Sequence, residues 1–283
     1  MVTRAEAEIV ERFTDRYRLC CTPPMMAVEQ DALGSDYGST GYTTRSQADE
    51  LAARLRLAPG HLLADIGAGS GWPGLYLAAT TGCQVVGTDL PLEGLRRARS
   101  RAAADGLSGR AAYAVATGHH QPLRGGRFDA VVHTDVLCCL SPKLSVLRAC
   151  RHLLRPGGRL AFTTIYVPPA LGTRERRLAL RAGPPHVASR RPYPELITQG
   201  GFSDVVETDV TADYQRTQRA WYEAADQHAD ELRRVTSDAE FATAQTDRRL
   251  TLDAIAAGLL RRSVFTATRP ADGAPVRSTT SCR

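Results

Sequence analysis

The sequence contains no apolar run of the roughly 20 residues that a membrane-spanning helix needs. Its first residues, Met1 to Glu8, are too charged for a secretory signal. No internal repeat or low-complexity block interrupts the chain. We therefore expect a cytoplasmic protein without a membrane span. The 283 residues, 43% of them hydrophobic, suffice for one sizeable domain or for one domain with an inserted cap.

Cysteine is not arranged for a structural role. The chain has 7 cysteines, an odd number, and two adjacent pairs among them, Cys20-Cys21 and Cys138-Cys139, are awkward for ordinary disulfides. No C-x-x-C spacing occurs, so we predict neither a disulfide framework nor a zinc site. His119 and His120 are also adjacent, and their side chains would diverge without a third ligand. We predict no metal site.

Lysine is almost absent, because Lys143 is the only one and arginine supplies the other positive charges behind a formal net charge of +6. A basic chain invites a nucleic-acid interpretation. The arginines, however, are spread along predicted helix faces, and the densest group, Arg174 to Arg177, lacks the interleaved aromatic residues that stack on bases. We therefore favour a solvated surface and predict no nucleic-acid partner.

A strand, a glycine-rich turn and a helix follow one another early in the chain. Leu62 to Ile66 is apolar without alternation, which is typical of a buried parallel strand. Three alternating glycines follow, namely Gly67, Gly69 and Gly71. Pro73 then suits the first turn of a helix. Glycines let a ligand approach the backbone and a helix N-terminus offers free N–H groups, so this unit predicts a nucleotide-type site. A dinucleotide fingerprint would need a glycine at Trp72.

The pattern Asp65-x-Gly67-x-Gly69-x-Gly71 resembles the first motif of the class I S-adenosylmethionine-dependent methyltransferases. Three further segments resemble this family in the expected order: Gln84 to Asp89, Gly126 to His133 and Leu154 to Leu160. The resemblance covers about Thr40 to Val167. It implies an α/β, Rossmann-like fold, a seven-stranded and mostly parallel sheet with helices on both faces. Its last strand would run antiparallel beside the fifth.

The resemblance also implies S-adenosyl-L-methionine as cofactor and S-adenosyl-L-homocysteine as product. Asp65 would balance the ammonium of the methionine part, and Gly67, Gly69 and Gly71 would allow its close approach. Asp89 would accept hydrogen bonds from both ribose hydroxyls, a bidentate role that suits a carboxylate.

Other cofactor contacts implied by the resemblance lie near the ends of neighbouring elements. Leu90, Gly118 and His119 would border the adenine. Thr117 stands where the family usually has an aspartate, and its hydroxyl would accept the same hydrogen bond from adenine without a charge. Tyr42 and Thr43 precede a helix that opens with the capping-box pattern Thr44-x-x-Gln47, and they are candidates for the methionine end.

A general base is harder to assign. Ligands in open α/β sheets lie beyond the carboxyl ends of strands, which places His133 and Asp135 near the chemistry. Many small-molecule methyltransferases of this family carry a histidine in a Leu-x-His pattern a few residues later, and Leu137-Cys138-Cys139 stands there instead. We therefore take His133 as the first catalytic candidate. The alternatives are a purely structural His133 or one of three other residues, Tyr37, Tyr166 and His186.

The regular alternation of strands and helices stops after the matched segment. We predict an N-terminal helix and lid over 1–45, a cofactor-binding core over 46–210 and a helical cap insertion over 211–257. The first helix, with Tyr17 on its apolar side, would end at Cys20 to Pro24 and lead into a loop. The cap would have two helices, the second opening with the capping-box pattern Ser237-x-x-Glu240. The last core strand would follow over 258–269. Residues 270–283, rich in proline, serine and threonine, would form a disordered tail.

These observations favour methyl transfer to a small organic acceptor, such as a secondary metabolite, a quinone or a lipid-like molecule. One alternative is an RNA methyltransferase, although the sequence has no appended RNA-binding module and lacks the Asn-Pro-Pro-Tyr signature after the fourth strand. Another alternative is a cofactor-binding protein that has lost catalysis. The sequence leaves a monomer and a homo-oligomer open.

Overall fold

One seven-stranded sheet organises the computed structural model, which describes residues 4–271. In chain order the strands are β1 (Leu62–Ile66), β2 (Gln84–Asp89), β3 (Ala111–Val115), β4 (Phe128–Thr134), β5 (Leu154–Tyr166), β6 (Ser203–Asp209) and β7 (Arg261–Thr268). They lie in the order β3-β2-β1-β4-β5-β7-β6. The first five strands pair in parallel, and β7 runs antiparallel between β5 and β6. This arrangement confirms the predicted fold class.

Helices cover both faces of the sheet and its carboxyl edge. Those within the described residues are α1 (Arg4–Cys20), α2 (Pro23–Leu33), α3 (Arg45–Leu55), α4 (Gly74–Thr81), α5 (Leu92–Ala104), α6 (Lys143–Leu153), α7 (Thr173–Ala182), α8 (Tyr193–Gln199), α9 (Thr211–Gln227), α10 (Ala229–Val235) and α11 (Asp238–Ala256). Among residues 4–271, no helix combines the length and the apolar character that crossing a bilayer requires.

The strand order reverses at β1, and this reversal positions the site. From β1 the chain continues to β2 and β3 on one side, and it crosses over to β4 on the other. Connections that leave neighbouring parallel strands in opposite directions open a crevice at the carboxyl ends of those strands. Asp65, Asp89 and Thr134 all lie at this edge.

Two apolar layers hold the sheet rigid. On one face, buried side chains of α6 and α8 pack on β4 and β5, including Leu147, Ile197 and Phe162. On the other face, α3 and α4 pack on β1 through residues such as Leu51, Leu77 and Leu63. Each fully buried leucine of this kind contributes about 1.5–3 kcal/mol relative to an exposed one. The strand ends that form the crevice are therefore fixed by the core beneath them.

The N-terminal segment contains a helix that the sequence did not predict. Pro23 and Pro24 were expected to end α1 and lead into a loop, but they open α2, which ends at Gly34 in a left-handed conformation. Proline suits the first turn of a helix because its missing N–H would have no partner there. The capping box predicted at Thr44 and Gln47 is present at the start of α3.

The segment predicted as a cap forms three helices instead of two. Ser237 caps α11 by accepting the N–H of Glu240, as its sequence pattern predicted. The cap packs on α2 through a buried cluster that includes Val28, Trp221 and Phe241. The limits proposed for the lid, core and cap stay predictions, and of the proposed tail, residues 272–283 lie outside the described part.

Candidate cofactor and acceptor site

The three glycines after β1 have positive φ angles, and each of them has close neighbours. The angles are 72° for Gly67, 52° for Gly69 and 103° for Gly71, values that favour glycine. Gly67 and Gly69 line a cavity at the carboxyl edge of the sheet. A Cβ would collide with Val136 at Gly67, with the Tyr17 hydroxyl at Gly69 and with Leu75 at Gly71. Gly71 packs between α4 and α5 and is absent from the cavity wall, and its contact with the ligand stays a prediction.

Asp65 is a buried carboxyl group at the end of β1, with 2% of its surface exposed. Burial, together with the nearby charge of Asp89, raises the pKa of Asp65 to about 8, against a smaller lowering effect of the Gly74 N–H. Its Oδ2 makes no well-formed hydrogen bond within residues 4–271. A buried carboxyl group in this state gains most from a cation placed beside it.

Asp89 ends β2 and is already hydrogen-bonded on both oxygens. Oδ1 accepts the Leu90 N–H at 2.8 Å, and Oδ2 accepts the Gly69 N–H at 2.8 Å. Oδ2 also accepts the hydroxyl of Tyr17, on α1, at 3.1 Å. Burial raises the pKa of Asp89 to about 6, although these three donors lower it. The carboxylate predicted to bind ribose is thus joined to the glycine turn and to the N-terminal helix.

The predicted adenine contacts lie at the ends of β2 and β3, outside the cavity wall. The Thr117 hydroxyl accepts the His120 N–H at 3.1 Å and so completes its own turn. A Cβ on Gly118 would crowd Leu140, and His119 lies 3.9 Å from Glu6. Contact of Leu90, Thr117, Gly118 and His119 with adenine stays a prediction.

The cavity measures about 670 Å³, within the range of small-molecule sites. Its floor is the glycine turn together with Thr134 and Asp135 at the end of β4. Helix α1 and the loop around Tyr42 form one side, and the cap helices with Trp221 and Phe241 form the roof. One cavity therefore borders both the glycine turn and the cap, while Asp65 and Asp89 lie outside its wall.

The neighbouring residues Tyr42 and Thr43 contact a buried ion pair in different ways. Arg262 on β7 is fully buried and binds both oxygens of Asp135 at 2.9 Å. The Tyr42 N–H donates to Asp135 at 3.3 Å while its side chain lines the cavity. Thr43 is 1% exposed, and its hydroxyl accepts from Arg262. Tyr42 therefore remains a candidate ligand contact, whereas Thr43 is an anchor of this network.

His133 does not occupy the position that a general base needs. Its ring is fully buried and stacks on Phe162 of β5, with ring centroids 4.5 Å apart. Burial lowers the pKa of His133 to about 3, and neither ring nitrogen has a hydrogen-bond partner among the described residues. His133 and the alternatives Tyr37, Tyr166 and His186 are all absent from the cavity wall. The error arose because strand position alone does not tell which way the last side chain faces.

Comparison with known proteins bears directly on the site. A methyltransferase domain model matches residues 64–162, the stretch from β1 into β5. The chain is 30% identical over 188 residues to 27-O-demethylrifamycin SV methyltransferase of Amycolatopsis mediterranei, with 65% of this chain and 68% of that protein covered. It belongs to the class I S-adenosylmethionine-dependent methyltransferases. The predicted family, enzyme class and cofactor are confirmed.

Two further relatives show how far the likeness extends. This methyltransferase is 30% identical over 169 residues to Methyltransferase GfsG of Streptomyces halstedii, covering 58% of this chain but only 60% of that protein. A phosphoethanolamine N-methyltransferase 2 of Haemonchus contortus, solved with phosphomonomethylethanolamine and S-adenosylhomocysteine, superposes with a TM-score of 0.75 at 20% identity. That match covers 87% of this chain and 57% of the other, and it shows a shared fold.

The residues of this methyltransferase fit S-adenosylmethionine. The cofactor carries an ammonium group, which suits the buried and poorly paired Asp65 carboxyl group. Gly67 and Gly69 line the cavity with φ angles at which a larger residue would be strained. Asp89 lies beside this turn, hydrogen-bonded to the Gly69 N–H.

Sequence reasoning missed several residues of the site. Tyr17 was assigned only to the apolar side of α1, and no role was given to Arg16, Arg248 or Arg262. Arg16 and Arg248 line the cavity from two helices far apart in the chain, so no short motif indicates them. Arg262 begins a run of four buried residues in β7, and no alternation in that strand indicates its burial.

Proposed function

We propose that this methyltransferase transfers a methyl group to a small organic acceptor bound between the glycine turn and the cap. The observation that carries this proposal is a cavity lined both by Gly67 and Gly69 of the glycine turn and by Trp221 and Phe241 of the cap. A relative that acts on 27-O-demethylrifamycin SV supports an acceptor of this general kind. The proposed cytoplasmic location and the choice between monomer and homo-oligomer stay predictions.

The chemistry places modest demands on the protein. The cofactor, when bound, supplies an electrophilic methyl group that an acceptor lone pair attacks as the carbon–sulfur bond breaks, leaving S-adenosylhomocysteine. Asp65 and Asp89 would hold the cofactor through its ammonium and its ribose hydroxyls. The cap would exclude water and align the acceptor, and such positioning alone can supply much of the catalysis. No histidine lines the cavity within residues 4–271, so we propose no imidazole base.

The proposal is tested by titrating the protein with S-adenosylhomocysteine in a calorimeter and then assaying S-adenosylmethionine turnover with a panel of metabolites. We expect saturable binding and mass-detected methylation of at least one acceptor. Binding without any turnover would favour the cofactor-binding protein. Salt-sensitive RNA binding with RNA methylation would favour the RNA methyltransferase.

Asp89→Ala tests the ribose contact within this proposal. We expect affinity for S-adenosylhomocysteine to fall by about 1–3 kcal/mol, because a carboxylate hydrogen-bonded to ligand hydroxyls is lost. Asp105→Ala is the matched control, since Asp105 pairs with Arg101 at the far end of α5. Equal affinities for wild type and Asp89→Ala would remove Asp89 from the cofactor site.

A further inference from the structure

Two arginines face the cavity without a carboxylate partner. Arg16 projects from α1 and Arg248 from α11, and both are half-buried in the cavity wall. Arg16 donates to the carbonyl of Thr40 at 3.2 Å, and Arg248 donates to the side-chain amide oxygen of Gln245 at 2.9 Å. Neither guanidinium forms an ion pair within residues 4–271, whereas the buried Arg262 is fully paired with Asp135.

The carboxylates of the cavity wall do not compensate these charges. Asp135 is bound by Arg262, and Asp15 is paired with Arg18 at 3.1 Å. Glu240 accepts the hydroxyl of Ser237 at the start of α11, and Asp247 is exposed. Further arginines, Arg12 and Arg181, also contribute to the wall. Among residues 4–271, Glu240 and Asp247 are the wall carboxylates without an arginine partner, and the four wall arginines outnumber them, so the cavity wall has an excess of positive charge.

The two guanidinium groups are close enough to affect each other. Burial lowers the pKa of Arg248, and the charge of Arg16 lowers it further, while Tyr42, Cys20 and the carboxylate of the neighbouring Asp247 act in the opposite direction. Burial also lowers the pKa of Arg16, but Tyr42, Cys20 and Cys139 outweigh it and the net shift is upward. The positive charges of Arg16 and Arg248 repel each other beside the same tyrosine and cysteine side chains. An anion bound between the two guanidinium groups would relieve this repulsion.

We propose that Arg16 and Arg248 bind an anionic oxygen group, a carboxylate or a phosphate, on the methyl acceptor. Guanidinium groups match the geometry of both anions and bind them through charge-assisted hydrogen bonds. The pair lies toward the cap, so the anion would hold the remote end of the acceptor while its nucleophile points to the glycine turn. This inference rests on the proposed methyl transfer and names the class of acceptor.

The first experiment measures binding and needs no turnover. Benzoate and phenyl phosphate are titrated into protein saturated with S-adenosylhomocysteine, beside their neutral counterparts benzyl alcohol and phenol. We expect at least one anion to bind about 10-fold or more tightly than its neutral counterpart, and the preferred anion separates a carboxylate site from a phosphate site. Equal or undetectable binding of both anions by wild type would overturn the proposal.

The second arm assigns the site to these residues. Arg248→Gln should weaken binding of the preferred anion by roughly 10- to 100-fold, because a charge-assisted contact is lost. Arg249→Gln is the matched control, since Arg249 is the next residue on α11, is exposed and contacts Tyr222. Arg16→Gln should act as Arg248→Gln does. Unchanged anion binding in both Arg16→Gln and Arg248→Gln would contradict the assignment.

The cofactor also carries a carboxylate. The affinity of the variants for S-adenosylhomocysteine therefore tells whether the arginine pair binds the acceptor or the cofactor. We expect S-adenosylhomocysteine to bind Arg248→Gln and wild type equally well. A parallel loss of S-adenosylhomocysteine affinity would show that the pair binds the cofactor and would overturn the acceptor site. If wild type binds the anion but methylates nothing, the proposed transfer fails while the anion site stands.

Discussion

At the scale of single residues, the two acidic groups at the carboxyl edge are in very different states. Asp89 has about four acceptor positions, and the N–H groups of Leu90 and Gly69 and the hydroxyl of Tyr17 occupy three of them. Two ribose hydroxyls need two positions. Tyr17 is the one donor of the three that is a movable side chain, so its hydroxyl competes with the ribose for Oδ2.

Tyr17→Phe should therefore strengthen the binding of S-adenosylhomocysteine. Removing the hydroxyl frees one acceptor position on Asp89 while the ring continues to pack on α1, and we expect a gain of about 0.5–1.5 kcal/mol in calorimetry. Phe13→Leu, on the same helix and beside the Tyr17 ring, controls for altered packing of α1. Weaker binding by Tyr17→Phe would mean that the hydroxyl contacts the cofactor instead of competing with it.

We expect Asp65 to make cofactor binding dependent on pH. Burial and the Asp89 charge raise the pKa of Asp65 to about 8, so the free protein holds a proton there at neutral pH. An ammonium placed beside the carboxylate lowers that pKa, and binding then releases the proton. Affinity for S-adenosylhomocysteine should rise with pH up to about 8, by at most tenfold per pH unit, and then level off.

Calorimetry in two buffers of different ionisation enthalpy measures this released proton. We expect release at pH 7 in wild type and less release in Asp65→Asn, where Asp89, with its pKa raised to about 6, still titrates. Proton uptake, or no exchange at all, would contradict the assignment of Asp65 to the ammonium. The same raised pKa should lower the free energy of unfolding of the free protein as pH rises from about 4 to 8, since the folded state binds the additional proton there.

At the scale of elements, the only lysine holds part of the cavity wall together. The Lys143 ammonium, at the start of α6, donates to the carbonyls of Leu137, Leu140 and His186 at 2.6, 2.9 and 2.7 Å. The first two carbonyls belong to the short 3-10 turn after β4 and the third to the loop after α7. These three bonds fix Cys138 and Cys139 beside the acceptor space.

Lys143→Met should destabilise the protein although it keeps the length of the side chain. Three carbonyls lose their donor, and we expect the free energy of unfolding to fall by about 2–4 kcal/mol in urea titration. Arg148→Met removes an exposed charge from the same helix and should change it by less than about 0.5 kcal/mol. If Lys143→Met also lowers the free energy of unfolding by less than about 0.5 kcal/mol, the three bonds contribute little.

At the scale of the whole molecule, the ion pair of Arg262 and Asp135 joins segments that are remote in the sequence. Arg262 also donates to Thr43, Gln47 and Thr163, so one guanidinium links β7, the end of β4, the start of α3 and β5. Asp135 has a positive φ of 55°, an uncommon conformation that this network holds. The lid loop at Tyr42 is attached to the sheet through the same carboxylate.

Arg262→Met should cost about 3–5 kcal/mol of unfolding free energy, because it leaves the Asp135 charge buried and unpaired. The double variant Arg262→Met with Asp135→Asn should recover part of that loss, since the uncompensated charge is gone. Urea unfolding of the four members of this cycle measures the coupling. Additive effects of the two substitutions would mean that the pair is not a unit.

The strand and the glycine turn of the candidate cofactor site were predictable because their signals are local. The stretch from Asp65 to Gly71 encodes a strand end and a turn within a few residues, and its glycines have the positive φ angles that the pattern required. Runs of apolar residues likewise indicated the strands, and Ser237 and Thr44 indicated the starts of helices. Pro23 and Pro24 were predicted to end a helix but instead open α2, because proline is common both after one helix and at the start of the next.

The sequence by itself determined the sheet, the family and the cofactor, because backbone conformation and burial leave short-range patterns. Only the tertiary structure decided which side chains meet. It stacked His133 on Phe162 inside the core and assigned Gly71 to helix packing. It also brought Arg16 and Arg248 from opposite ends of the chain to one cavity. Whether two remote side chains meet depends on how helices and strands pack against each other. Residue spacing within a short segment carries no information about that packing.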